Sequence, residues 1–128
     1  MSIMEKGKLI QNKVHLQEHE WNTVKLFLEM GYDISLIPPI EGKRVNTPDM
    51  DMSGVIWEMK SPEGKSRNTI KHTFQNAGKQ SGNLIIDLQR CKLMDEEALK
   101  DIQYHFNISK RIKRLKVVTK DKKILDFS

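Results

Sequence analysis

Asp49 follows Pro48, and Glu58-Met59-Lys60 comes a few residues later. Two carboxylates and a lysine therefore sit in one short stretch. Side chains alternate along an extended strand, so Glu58 and Lys60 point to one face and Val55, Trp57 and Met59 to the other. An acid and an amine on an otherwise apolar strand are costly unless something engages them. A divalent cation and a phosphate would. Phosphodiester hydrolysis needs a deprotonated water, an oriented in-line attack and neutralised charge on the phosphate and leaving oxygen. Magnesium ions held by a few carboxylates, and completed by water and substrate oxygens, supply all three. A lysine beside the metal orients the water or stabilises the charged transition state.

The elements that must position these groups can be read from the pattern. Asp49–Met52 and Val55–Lys60 read as two strands joined by a tight turn at Ser53-Gly54, which folds Asp49 back beside Glu58 and Lys60. His19 to Met30 carries Trp21, Val24, Phe27 and Leu28 at helical spacing, and Gly31 stops it. Tyr32–Ile37 alternates as a strand and ends at Pro38-Pro39. Residues 40–47 and 61–65 are polar loops. A second helix is predicted from Ser66 to about Gln80, with Gly78 weakening its end. Asn83–Leu88 is an apolar run suited to a central strand buried on both faces. Asp95 is placed to cap a third helix bearing Ala98, Leu99, Ile102 and Phe106. Leu115–Thr119 and Ile124–Phe127 complete the set around a turn at Lys120-Asp121. The order α-β-β-β-α-β-α-β-β predicts an α/β fold, a small mixed central sheet flanked by helices. The chain, 1–128, reads as a single domain, with residues 1–14 a loose arm or short helix.

Pro48-Asp49, Glu58 and Lys60 around a hairpin resemble the motif of the PD-(D/E)xK nuclease superfamily. A preceding helix with a glutamate, then a glycine and a strand, completes the family pattern, and Glu20 sits where that glutamate would be, with Glu18 a rival. Over residues 15–106 the strings Trp57-Glu58-Met59-Lys60-Ser61-Pro62-Glu63-Gly64-Lys65-Ser66 and Gln80-Ser81-Gly82-Asn83-Leu84-Ile85-Ile86-Asp87-Leu88 resemble the C-terminal tRNA-nuclease domains of bacterial contact-dependent inhibition toxins. Similar domains occur on phage head-associated proteins and mobile elements. The resemblance implies a restriction-endonuclease-like core and a Mg²⁺- or Mn²⁺-dependent endonuclease acting on RNA, tRNA above all. It implies Glu20, Asp49 and Glu58 as metal ligands with the carbonyl of Met59, and Lys60 as the catalytic lysine. Lys65, Lys79 and Gln80 would contact substrate, and an immunity protein would be a partner. The first ligand is Asp49, Asp51 or both. A DNA endonuclease with the same centre and a non-catalytic binding module remain the alternatives.

Composition narrows the classes. Charged residues make up 30% of the chain and apolar ones 38%, the balance of a soluble globular domain rather than a disordered one. No apolar run approaches a membrane span, and no signal peptide opens the chain. The expected site of action is the cytoplasm, including that of a target bacterium into which the domain is delivered. Residues 1–64 hold seven Lys/Arg against ten Asp/Glu, whereas residues 65–128 hold fifteen against seven. The basic half is suited to hold a polyanion over the acidic one. Lys110–Lys116 reads either as a nucleic-acid-facing edge or as an edge strand protected by lysines. Lys65, Arg67 and Lys71 grip a backbone or form a solvated helix face. His15 and His19 are spaced to share a helix face but lack a third zinc ligand. His72 and His105 are left as substrate contacts, and the lone Cys91 as a packed thiol.

Overall fold

The sheet grows strand by strand along the chain. The computed structural model describes residues 5–39 and 49–127. In chain order the elements are β1 (Leu9–Ile10), α1 (Glu18–Glu29), β2 (Ile34–Leu36), β3 (Met50–Met52), β4 (Val55–Lys60), α2 (Thr69–Ala77), β5 (Asn83–Asp87), α3 (Asp95–Ile108), β6 (Arg114–Val118) and β7 (Ile124–Phe127). The seven described strands form one mixed sheet in the order β1-β2-β3-β4-β5-β6-β7. β1 is parallel to β2, and β2, β3 and β4 follow as antiparallel neighbours. β4, β5 and β6 are parallel, and β7 closes the far side antiparallel to β6. Parallel neighbours need long crossovers. Each of the three parallel pairs has one helix in its connection.

Two apolar layers sandwich the sheet. Val24 and Phe27 of α1 pack with Ile34, Leu36, Met50, Trp57 and Ile85 on one face. Ile70 and Phe74 of α2 and Ala98 and Ile102 of α3 pack with Leu84, Ile86, Leu115 and Val117 on the other. β5 thus sends Ile85 one way and Leu84 and Ile86 the other, as its unbroken apolar run predicts. At the entry to α1, Gln17 N–H donates to Glu20 Oε1 at 2.9 Å, one half of a capping box. Gly31, with φ 95°, takes the left-handed turn that releases the chain from α1 into β2.

Several expectations are corrected in detail. The described part of the arm is docked rather than loose. Gly7 N–H donates to Leu28 O at 2.7 Å, and Asn12 Nδ2 donates to Leu36 O at 2.7 Å. A Cβ on Gly7 would lie 1.7 Å from Tyr32 O, so only glycine permits that approach. Short strands such as β1 carry too few residues for a period to register. α2 begins at Thr69 because the Ser66 hydroxyl accepts the Asn68 N–H and holds a turn there. Met94, not Asp95, is the N-cap of α3, and the Asp95 carboxylate accepts instead from Lys120 N and Nζ, both at 3.2 Å. β6 is not an edge: β7 covers it, and Lys116 turns inward, its amine 5.3 Å from the Tyr32 ring centre and 5.6 Å from that of Trp57. Residues 40–47 and Pro48 lie outside the described residues.

Ile85 is fully buried in the α1-side layer, so truncation there leaves a cavity in that layer. Ile85→Ala should cost about 2–5 kcal/mol. Urea unfolding followed by circular dichroism checks this, and a loss under ~1 kcal/mol would contradict the burial of Ile85 in that layer.

Candidate active site

The β3–β4 hairpin sets the geometry. Ser53 and Gly54 take φ 51° and 90°, the paired positive values of a type I′ turn. Asp51 Oδ1 accepts the Gly54 N–H at 2.8 Å and so stabilises that turn. The register pairs Met50 with Trp57 and Asp51 with Ile56. One step beyond, Asp49 N–H donates to Trp57 O at 3.1 Å, and Asp49 Oδ2 accepts the Met59 N–H at 2.7 Å. These two bonds flank Glu58 and hold the Asp49 carboxylate beside it. The choice left open between Asp49 and Asp51 is thereby narrowed: Asp51 serves the turn, Asp49 faces Glu58.

Trp57 enters the α1 layer, while Glu58 and Lys60 share the opposite face with their β5 partners Leu84 and Ile86. Glu58 is 1% exposed. Lys60 Nζ lies 3.3 Å from Glu58 Oε2, with its own side chain 30% exposed. Among the described residues no hydrogen-bond partner reaches the buried Glu58 Oε1. Burial, and then the hydrogen bond and negative charge of Asp49, push the Glu58 carboxyl up to about 9, against the opposing pull of Lys60. One ammonium does not compensate two adjacent carboxylates in a dry site. A proton or a cation would relieve that imbalance. A divalent ion fits: Mg²⁺ is commonly held by only one or two carboxylates, with water and substrate oxygens filling the rest. Among the described residues no group of three or more Asp, Glu, His or Cys is assembled to hold a metal.

Among the described residues no hydrogen bond or ion pair joins the other expected residues to this pair. Glu20 caps α1, and among the described residues no hydrogen bond or ion pair joins it to Asp49, Glu58 or Lys60. Glu18 lines a cleft of about 320 Å³ together with Ser61, Asp87 and Arg90. Lys65 is exposed in the loop after β4. Lys79 is exposed beyond the end of α2, and Gln80, half-buried, donates its N–H to Ala77 O at 2.9 Å. His15 precedes α1, so it shares no helix face with His19. Cys91 is buried, its Sγ 3.5 Å from Gly64 O.

Two features escaped the sequence reading. Asp87 is buried at the end of β5, accepting from Thr23 Oγ1, from Gln89 N at 2.8 Å and from Gln89 Nε2 at 3.0 Å. A carboxylate at the end of an apolar run was the available signal. Arg90 binds Ser61 O at 2.9 Å and Ser61 Oγ at 3.0 Å and pairs with Glu63, so it fastens the segment directly after Lys60. Nothing local in the sequence pairs Arg90 with Ser61.

A seven-stranded mixed sheet between two helical layers, with an acid pair and a lysine on its central strands, defines an α/β domain with a candidate hydrolytic centre. Residues 46–124 match the family described as the contact-dependent growth inhibition CdiA C-terminal domain, and the chain belongs to that family. The matched region holds Asp49, Glu58 and Lys60 and leaves α1 outside. The structure is also similar to a chain of the CdiA-CT/CdiI toxin and immunity complex from Burkholderia pseudomallei. That likeness has a TM-score of 0.71 and 17% identity, and covers 95% of this chain and 99% of that one. At this identity the likeness is one of fold. Curated proteins give no match. No helix among the described residues is long and apolar enough to cross a membrane.

The raised Glu58 carboxyl has a thermodynamic sign. The native state holds a proton that the unfolded chain, at 4.5, has already released, so metal-free stability should fall as pH rises from about 4.5 to about 9. Glu58→Gln removes that slope. It should raise metal-free stability at pH 8 by about 1–3 kcal/mol, the scale of an uncompensated buried polar group. Melting curves of both proteins in EDTA from pH 5 to 9 check this, and parallel curves would contradict it.

Proposed function

We propose that this domain is a metal-dependent endonuclease that cleaves RNA, tRNA first among substrates, and acts as a growth-inhibiting toxin. The observation that carries the reading is the buried Glu58 beside Asp49, paired with Lys60 and holding a carboxylate oxygen that no donor reaches among the described residues. Asp49 and Glu58, with the carbonyl of Met59, would hold Mg²⁺ or Mn²⁺. Such an ion, when bound, lowers the pKa of water and neutralises charge on the phosphate. Lys60 is the half-exposed end of the set and meets the phosphate or the attacking water. Asp49 is kept in place by the Met59 N–H, so ligand geometry is tied to the strand backbone. The run α1-β2-β3-β4-α2-β5 agrees with the core expected of PD-(D/E)xK nucleases and supports the same reading.

Family membership supports the toxin role and delivery into a target cell. The structural neighbour was solved as a toxin and immunity complex, which supports an immunity protein as partner of this domain. Glu20 enters as the candidate third carboxylate. Because Gln also serves at this position of a capping box, Glu20→Gln keeps the cap and removes only the charge.

Purified protein with Mg²⁺ should degrade total tRNA, and EDTA should stop it. Lys60→Ala and Glu58→Ala should each lower cleavage by about 100-fold or more while the fold persists by circular dichroism. Full activity in either would sink the assignment, and preference for duplex DNA would redirect it. For Glu20→Gln, a tenfold or greater loss at unchanged Tm is the result expected of a ligand. Unchanged cleavage would leave Glu20 a helix cap. Asp51→Ala should loosen the hairpin by about 1 kcal/mol yet retain cleavage, unlike Asp49→Ala.

A further inference from the structure

A cleft of about 630 Å³ opens between α2 and the end of α3. Its rim carries Lys71, Lys79, Lys110 and Arg111, and no Asp or Glu lines it. All four cations are exposed, and none enters an ion pair among the described residues, whereas Lys116, Lys120 and Lys123 each pair with an aspartate. The inner wall is aromatic. Phe74 faces His105 at 5.9 Å between ring centres with a 36° tilt. Ile108, 57% exposed, adds an apolar wall. Gly78 keeps the floor low: a Cβ there would come within 3.3 Å of Arg111 Cδ.

We infer that this cleft seats an unpaired nucleotide of the RNA substrate, an inference that rests on the nuclease reading. An inorganic anion would use the rim and leave the aromatic wall idle. A flat acidic protein surface would use the rim and leave the recess empty. A nucleotide uses both, with its base against His105 and Phe74 and its phosphates among the lysines. The volume lies within the ~300–1,000 Å³ of small-ligand sites. The cleft is on the side of the sheet that carries Glu58 and Lys60, since α2 and α3 cover that face. Ser81 Oγ and Asn83 Nδ2, just past α2, bond Ile56 O at 3.2 and 2.9 Å, two residues before Glu58. A single strand seated in the cleft therefore remains on the face where the acid pair lies.

The test uses the whole chain in EDTA and a labelled single-stranded oligoribonucleotide, read by fluorescence anisotropy over a salt series. Lys79→Glu with Lys110→Glu, both exposed positions, should weaken binding by tenfold or more and reduce the salt slope by about two. His105→Ala should weaken it about fivefold with the slope unchanged. With Mg²⁺ restored, both variants should raise KM for tRNA more than they lower kcat. Wild-type binding and KM in the variants, with cleavage intact, overturn the cleft and leave the nuclease reading standing. Cleft-dependent binding without any cleavage by the wild-type chain upholds the cleft and removes the nuclease reading. Loss of an immunity partner with RNA binding unchanged makes the cleft a protein interface and overturns the proposal.

Discussion

Burying Glu58 against Asp49 is the constraint to which the rest of the site answers. A strand position beside two parallel and antiparallel neighbours would favour a β-branched or aromatic residue. Here it holds an acid whose oxygen finds no donor. Such a residue persists only where the surroundings fix it firmly. Three devices do so. The Ser53-Gly54 turn sets the hairpin register, the Met59 N–H clamps Asp49, and Trp57 anchors the reverse face of the strand in the α1 layer. The cluster cannot relax by sliding, because a one-residue slip of β4 would send Glu58 and Lys60 into that apolar layer.

The second consequence is a division of labour between faces. The α1 side holds Trp57, Ile85 and the capped helix, and two of its carboxylates have donors: Asp87 in Thr23 and Gln89, Glu20 in Gln17. The α2–α3 side carries the acid pair and a set of cations that enter no ion pair among the described residues. The candidate site and the capped helix thus lie on opposite sides of one sheet. Arg90 ties them together by gripping Ser61, the residue that follows Lys60.

Much of this was legible because the relevant signals are local and periodic. Val55–Lys60 alternates cleanly, Asn83–Leu88 is continuously apolar, and Ser53-Gly54 and Gly31 are turn residues with one main use. β4 and β7 match their expected bounds, and the helix order is as read. What was missed depends on distant partners. β1 exists because Gly7 can approach Tyr32 and Leu28; Asp95 leaves its capping role because Lys120 arrives from the far end of the chain. Glu20 is read from its place in a motif alone. Its type and position suit a ligand, and its carboxylate is used locally by Gln17. The aromatic wall at His105 is equally silent in sequence, since Phe74 lies on another helix.

A sheet whose spatial order repeats its chain order also has a kinetic consequence. Each described strand pairs with its neighbour in chain order, so the entropy of ring closure stays modest at each addition. No segment must wait for the opposite terminus before it can pair. Such a topology has the low mean sequence separation associated with fast folding. A chain presented from one end, residue by residue, can lay down this sheet progressively and re-form it after being pulled apart.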